Sequence, residues 1–204
     1  MRIRNVIKLV LGTVLALGMS IDTLKAAGYP EKPITMILPL GAGGSHDRNA
    51  RVFTSVIPEF LGNAIIVKLM PGASGQVGTA AAARSKPDGY TLIFTHNYYD
   101  QLQKHVKKLP YNTDKDFVTV GKLNSGSFSV IVRADSPFKT WGQLVAYAKK
   151  NPGKLKFAHS GNWGATHAPA LQLFTEAGIV KNIVMVPYKG GGPSLRGFLA
   201  KEAD

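Results

Sequence analysis

The sequence contains no cysteine in its 204 residues. It therefore excludes disulfides, thiolate nucleophiles, cysteine-ligated metals and lipid attachment through a lipoprotein cysteine. Acidic residues are also scarce, with 12 Asp and Glu against 25 Lys and Arg and a formal net charge of +13. Such a balance favours small acidic molecules, nucleic acid or an anionic surface as partners. Because no Lys/Arg run exceeds two residues and no zinc-finger or RNA-binding aromatic signature occurs, we do not expect a nucleic-acid partner.

The apolar run Leu9–Met19 is too short to span a bilayer comfortably. Three basic residues precede it within the first eight positions, and small residues follow it. This pattern predicts an export signal at residues 1–26, cleaved near Ala26 or Ala27. An exported, basic chain without cysteine fits the bacterial periplasm.

The stretch Ile34–Asp47 has the most informative pattern in the chain. Five apolar or β-branched residues end at Pro39, a turn rich in small residues follows, and Asp47 opens a segment with helical apolar spacing. Glycines in such a turn leave backbone N–H groups unshielded at a helix N-terminus, where the helix dipole favours an anion. The turn lacks the spacing of a dinucleotide-binding loop or a P-loop. Alone it fits an anion cradle or a plain strand-to-helix turn equally well.

A second copy of this plan lies at Ile183–Gly192. It again has an apolar strand, a proline, two further residues, a small residue and two glycines. Two such turns far apart in sequence suggest two lobes that face each other across one ligand.

Apolar runs and helical periodicities alternate along the rest of the chain. They predict strands at 34–38, 64–69, 90–95, 118–123, 127–132, 155–158 and 183–186, and helices at 47–61, 76–85, within 96–109, 140–150, 167–177 and from about 192. Pro58 is expected to kink the first helix. Alternating strands and helices predict a parallel sheet covered on both faces, whose ligands bind at the carboxyl ends of the strands.

Short motifs also follow one another along the whole segment after residue 26. They are Tyr29–Ile34, Pro39–Arg51 (PxxAGGxxDxxAR), Pro71–Gly78 (PGASGxxG), Lys86–Leu92 (KPDGYTL), Leu109–Tyr111 with Asp116–Phe117, Asn151–Leu155 (NPGKL), Ser160–His167 (SGxxGxxH) and Val186–Gly190 (VPYKG). In this order they resemble the extracytoplasmic solute receptors of the tripartite tricarboxylate transporters, the Bug-type receptors.

The resemblance implies an α/β, type II periplasmic binding protein fold with two lobes and a central ligand cleft. We expect lobe 1 at residues 27–124 and lobe 2 at residues 125–204. It also implies a monomer without cofactor or catalysis that presents a small carboxylate to membrane permease subunits. Members of the family continue well beyond the position of Asp204, so we expect a partial sequence whose C-terminal part is missing.

The site residues follow from the same resemblance, because the family holds its carboxylate largely through backbone amides and small hydroxyls of facing loops. In the first lobe they are Gly43, Gly44, Ser45 and Asp47, the last more as a helix cap than as a ligand contact. In the second lobe they are Ser160, Gly161, Gly164, Thr166, Tyr188, Gly190 and Gly191. Ser74 and Thr95 lie at neighbouring turns and are weaker candidates.

Two positions depart from the family pattern. Leu40 stands where a phenylalanine is usual after the first proline, and Leu69 with Met70 stands where an asparagine is usual before the Pro-Gly-Ala turn. Both changes are expected to alter what the cleft accepts.

Enzymatic alternatives find little support in the residues. Ser45, His46 and Asp47 are consecutive, whereas a nucleophile and its base need side chains that converge in space. Ser160 lacks the Gly-x-Ser-x-Gly elbow of a hydrolase. An exported hydrolase-like enzyme and a carboxylate sensor without a transport role stay open as alternatives.

The five histidines show no pair at metal-binding spacing on one helix, so no metal site is predicted. They are His46, His96, His105, His159 and His167. His167, just inside a helix N-terminus, is expected to shape the second loop, with direct ligand contact as the alternative.

Overall fold

The computed structural model describes residues 28–96 and 102–204. Over these residues the strands are β1 (Ile34–Leu38), β2 (Ile65–Leu69), β3 (Thr91–Ile93), β4 (Leu155–His159) and β5 (Ile183–Pro187). The α-helices are α1 (Ser45–Val56), α2 (Pro58–Leu61), α3 (Gln76–Ala83), α4 (Gln103–Val106), α5 (Trp141–Lys150), α6 (His167–Glu176) and α7 (Gly191–Leu199). Lys32–Asp204 form one compact unit.

The first sheet has three parallel strands in the order β2-β1-β3. Its central strand, β1, is almost entirely apolar and buried, as expected for a parallel strand covered on both faces. Its core side chains, at Ile34, Met36 and Leu38, pack with Ala50 of α1 and Ile65 of β2.

The second sheet pairs β4 and β5 in parallel, with His159 opposite Pro187 at the carboxyl end. Leu155 and Ile183 bury their side chains there with Phe174 of α6 and Ala148 of α5. The two sheets are thus built on the same strand-turn-helix plan, and both place their strand ends beside glycine turns.

Most predicted elements are present, with boundary shifts of one to three residues. The first helix begins at Ser45, two residues before the predicted start, and Pro58 separates it from the short α2. Within 96–109 the described part is helical at α4. The predicted export signal lies outside the described residues, and the lobe boundary near residues 124–125 stays a prediction.

The strands predicted at 118–123 and 127–132 were wrong. Both segments are irregular and largely solvent-exposed, with Val118 91% and Val120 85% exposed. Their β-branched residues favour extended backbone, but a strand also needs ladder hydrogen bonds to a neighbour. No strand pairs with either segment among the residues that the structure describes.

Within the described ranges, no helix is both long and apolar enough to cross a bilayer.

Gly78 provides a test of how α3 packs on the first sheet. A Cβ built on Gly78 would lie 2.8 Å from the Met70 carbonyl oxygen and 2.9 Å from the Pro39 Cα. Gly78→Ala is therefore expected to lower the free energy of unfolding by about 1–3 kcal/mol, since backbone has to shift. Urea unfolding followed by circular dichroism measures this change.

The matched control is Gly142→Ala in α5, where a built Cβ meets nothing within 4 Å. That change is expected to be neutral or stabilising by up to about 1 kcal/mol, because alanine favours helix. Equal effects at the two positions would contradict the close packing of α3.

Candidate functional site

Three helices begin directly after the carboxyl ends of parallel strands. The β1 turn leads to α1, the β4 loop to α6 and the β5 turn to α7. Their N-cap residues are Gly44, Thr166 and Gly190, and none supplies a side-chain capping hydrogen bond. Backbone N–H groups at such helix starts are suited to binding an anion.

The turns after β1 and β5 contact each other through glycines. The Gly41 N–H donates a 2.8 Å hydrogen bond to the Lys189 carbonyl oxygen. A Cβ built on Gly190 would lie 2.9 Å from the Gly41 nitrogen, and one on Gly192 would collide with the Ala42 carbonyl oxygen. We call this contact, between residues 41–44 and 189–192, the glycine seam. It brings Gly43 and Gly44 beside Gly191 and Gly192.

Asp47 holds the first turn in shape. Its carboxylate accepts hydrogen bonds from the Gly43 N–H (2.9 Å) and from the Arg51 Nε (2.8 Å). The residue is only 5% exposed. A negative charge in the first helical turn is also favoured by the helix dipole. Asp47 thus caps this turn, and the N–H of Gly43 is already hydrogen-bonded to its carboxylate.

The loop between β4 and α6 is closed by two hydroxyl side chains. The Ser160 N–H donates to Thr166 Oγ1 at 2.8 Å, and the two side-chain oxygens are also 2.8 Å apart. Gly161 has φ 128°, a conformation that favours glycine, and its carbonyl accepts from the Gly164 N–H. Trp163 has the left-handed φ of 59°. This loop is therefore tightly folded on its own hydrogen bonds.

Ser74 lies against this loop from the other sheet. A Cβ built on Gly161 would be 3.3 Å from Ser74 Oγ. Ser74 has φ 56°, and its carbonyl accepts a 3.0 Å hydrogen bond from Nε2 of the buried Gln103. A non-glycine residue in the left-handed region is strained, and such strain concentrates at functional sites.

A histidine pair lies at the carboxyl edge of each sheet. The rings of His159 and His167 have centroids 4.4 Å apart, and those of His46 and His96 are 5.0 Å apart. Burial lowers the pKa of all four, to about 4 for His159 and about 3 for His96, with the neighbouring histidine adding to both effects. All four rings are thus neutral at pH 7.

Two predicted site residues lie apart from these contacts. Thr95 follows β3, and its buried hydroxyl has no hydrogen-bond partner among the described residues. The Tyr188 hydroxyl donates a 2.6 Å hydrogen bond to Glu202, which raises the pKa of Tyr188. The Tyr188 N–H donates to the His159 carbonyl, so its polar groups serve the fold of the second sheet.

Sequence reasoning did not place three residues of this region in the site. Gly41 and Gly192 sit in the glycine seam, and the second copy of the glycine turn was the signal that could have indicated them. His167 was the one histidine that the sequence singled out for the site, so His159 was not expected there. In the described parts of the chain, no three His, Asp or Glu side chains gather as metal ligands would.

Comparison with known proteins gives consistent matches. A model of the family described as tripartite tricarboxylate transporter family receptor matches residues 49–204. A UPF0065 protein of Cupriavidus necator is 34% identical over 192 residues, which are 90% of this chain and 56% of that protein. The chain thus spans a little over half the length of this relative.

Solved structures agree with this match. A periplasmic binding protein, BugD, superposes with a TM-score of 0.73 at 29% identity over 86% of this chain and 58% of its own. MatC of Rhodopseudomonas palustris, a structure with bound malate, superposes with a TM-score of 0.74 at 28% identity, over 86% of this chain and 59% of its own. The fold is therefore that of the periplasmic binding proteins, as the sequence predicted.

Removal of the Asp47 carboxylate tests its role as a cap. Asp47→Ala is expected to lower the free energy of unfolding by about 1–3 kcal/mol, because the Gly43 N–H loses its acceptor. Arg51→Ala, which removes the exposed partner of this half-buried ion pair but keeps the Gly43 hydrogen bond, is expected to cause a smaller loss of about 1 kcal/mol or less. Thermal melts of both variants measure the difference, and equal effects would contradict the cap.

Because the buried histidines have lowered pKa values, the stability of the folded protein is expected to fall as the pH becomes acidic. As pH falls through 6.5 the unfolded chain takes up protons, whereas the folded His159, with a pKa of about 4, does not. Stability from the neutral ring is complete above pH 6.5 and is lost as pH falls towards 4, by on the order of 1 kcal/mol per pKa unit. His159→Gln is expected to flatten the pH dependence of the melting temperature in this window. Replacement of the exposed His105 by Gln is the control, and an unchanged slope in His159→Gln would contradict the assignment.

Proposed function

The chain belongs to the family of tripartite tricarboxylate transporter receptors, the Bug-type receptors, and from that membership we propose that it captures a small carboxylate in a cleft between two lobes. It would then deliver this ligand to the permease subunits of a tripartite tricarboxylate-type transporter. The observation that carries the proposal is the glycine seam, where turns from the carboxyl ends of both sheets meet.

The chemistry of the region suits an anion. Helix starts at Gly44 and Gly190 present backbone N–H groups with the positive ends of helix dipoles. The neighbouring histidines are neutral, and the one buried carboxylate of the first turn, Asp47, is already paired. We therefore assign the carboxylate to Gly44, Ser45 and the second-sheet loops rather than to the N–H of Gly43.

Binding needs no reaction in this mechanism. A ligand that contacts the turns of both sheets favours the closed arrangement, in which those turns meet, over an open one. The size of this shift is set by the difference between the ligand's affinities for the two arrangements. A micromolar receptor needs about 8 kcal/mol, within reach of several charge-assisted hydrogen bonds. The malate in the MatC structure favours a dicarboxylate as the first ligand to test.

The hydrolase alternative is disfavoured by the contacts of Ser160. Its hydroxyl pairs with that of Thr166, and the Nδ1 atoms of the two neighbouring histidines accept backbone N–H groups. A serine nucleophile needs a base within hydrogen-bond reach, and Thr166 is not one. The family is a solute-receptor class, which agrees with binding without turnover.

The proposal includes location and assembly. We place the receptor in the periplasm as a monomer after cleavage near Ala26 or Ala27, with lobes at 27–124 and 125–204. BugD, a periplasmic binding protein, supports the compartment.

A thermal-shift panel of small carboxylates tests the function. Malate, succinate, citrate, glutamate and benzoate would each be added to the purified protein. A true ligand at about a hundred times its dissociation constant adds about 2.7 kcal/mol and raises the midpoint by roughly 5–11 °C. A shift with one acid and not its neighbours supports the receptor and identifies its ligand class. No shift with any carboxylate would contradict it.

Ser160→Leu tests the location of the site. The residue is only 8% exposed, and a leucine there would occupy the space beside Thr166, so binding of the ligand found in the panel is expected to be lost. Ser127→Leu, at an exposed position, is the matched control and should bind normally. If calorimetry shows unchanged affinity in Ser160→Leu, the ligand binds elsewhere and the proposed site is wrong.

A further inference from the structure

His159 and His167 lie face to face at the start of α6. His159 is the last residue of β4 and His167 the first of the helix, and their rings are tilted by 32°. They are 1% and 7% exposed. The pair is thus buried directly beneath the loop that contains Ser160 and Thr166.

Backbone hydrogen bonds fix the tautomer of both rings. The Gly161 N–H donates to His159 Nδ1 at 3.4 Å, and the Trp163 N–H donates to His167 Nδ1 at 3.0 Å. A neutral imidazole that accepts at Nδ1 carries its proton on Nε2. Each ring therefore presents an N–H donor at Nε2 and no lone pair there, which suits an anion rather than a metal ion.

The His159 donor is buried without an acceptor. Across the described ranges its Nε2 atom has no hydrogen-bond partner. A buried donor without an acceptor is destabilising, and such groups in native proteins are uncommon and often functional. A site whose ligand supplies the acceptor explains why this donor is retained.

The charged groups on the surrounding elements do not supply that acceptor. After β5, Glu202 accepts from the Tyr188 hydroxyl, and beside β4, Asp204 accepts from the Lys156 N–H. Glu176, at the opposite end of α6 from His167, accepts from Gln172. Lys189, Arg196 and Lys201 are cationic and cannot accept. The pKa of His159 is lowered by burial and by His167.

We propose that the Nε2–H groups of His159 and His167 together bind a carboxylate group of the captured ligand. The inference rests on the proposed receptor function and adds a residue, His159, to its site. Ser74 lies against Gly161, whose N–H donates to His159 Nδ1. In this proposal the ligand reaches the histidines when the two loops separate and becomes enclosed when they meet.

The test compares two neutral replacements of His159. His159→Phe keeps a flat ring but removes the donor, whereas His159→Gln keeps an amide N–H near the position of Nε2. Malate titrations by calorimetry are expected to show a loss of affinity of roughly tenfold or more for the Phe variant. The Gln variant and the exposed control His105→Gln should stay within about threefold of the original protein.

Nitrogen NMR of ¹⁵N-histidine-labelled protein tests the proposal independently of any variant's folding. The expected spectrum shows both rings protonated at Nε2 at pH 7, and addition of malate shifts the His159 Nε2–H resonance. A ring protonated at Nδ1, or malate bound without such a shift, would overturn the proposal.

The outcomes separate the two proposals. Malate that binds His159→Phe as tightly as the original protein would overturn the role of the pair and leave the receptor function standing. If neither malate nor any other carboxylate of the panel binds the original protein, the receptor function fails, and the histidine proposal fails with it.

Discussion

The hydrogen bond from the Gly41 N–H to the Lys189 carbonyl joins the turn after β1 to the turn after β5. Residues that belong to different sheets become neighbours because of this contact, and side chains at 41, 190 or 192 would prevent it. The glycines therefore have two roles. They allow the backbone to turn after each strand, and they let the two turns approach each other closely.

Electrostatics in this region differ from those of the chain as a whole. The protein carries a net charge of +13, which attracts anions over long distances. Near the turns the buried histidines are neutral and Asp47 is paired with Arg51 and the Gly43 N–H. Long-range attraction of anions thus comes from surface lysines and arginines, whereas in the proposed function neutral N–H and O–H donors make the contacts at short range. Such donors can bind a carboxylate without burying an additional opposite charge.

The sequence predicted those parts of the fold that depend on local pattern. The apolar run before Pro39, the helical spacing over 140–150 and the two glycine turns predicted β1, α5 and the strand ends correctly. Segments 118–123 and 127–132 have strand-like composition, but pairing depends on a neighbour that local pattern cannot reveal. The contact between Ser74 and Gly161, and the orphan donor of His159, arise only when distant segments pack together. Family resemblance indicated the loops of the site, but not which N–H groups are already bonded.

The edge-on contact between Trp163 and His167, with ring centroids 5.6 Å apart, has a spectroscopic consequence. A protonated imidazole beside an indole quenches its fluorescence, whereas a neutral one does so weakly. The other tryptophan of the chain, Trp141, is 39% exposed and stacks on the buried Phe174 instead. We therefore expect emission from Trp163 to respond to protonation of His167, which would make this tryptophan an intrinsic optical probe of the loop.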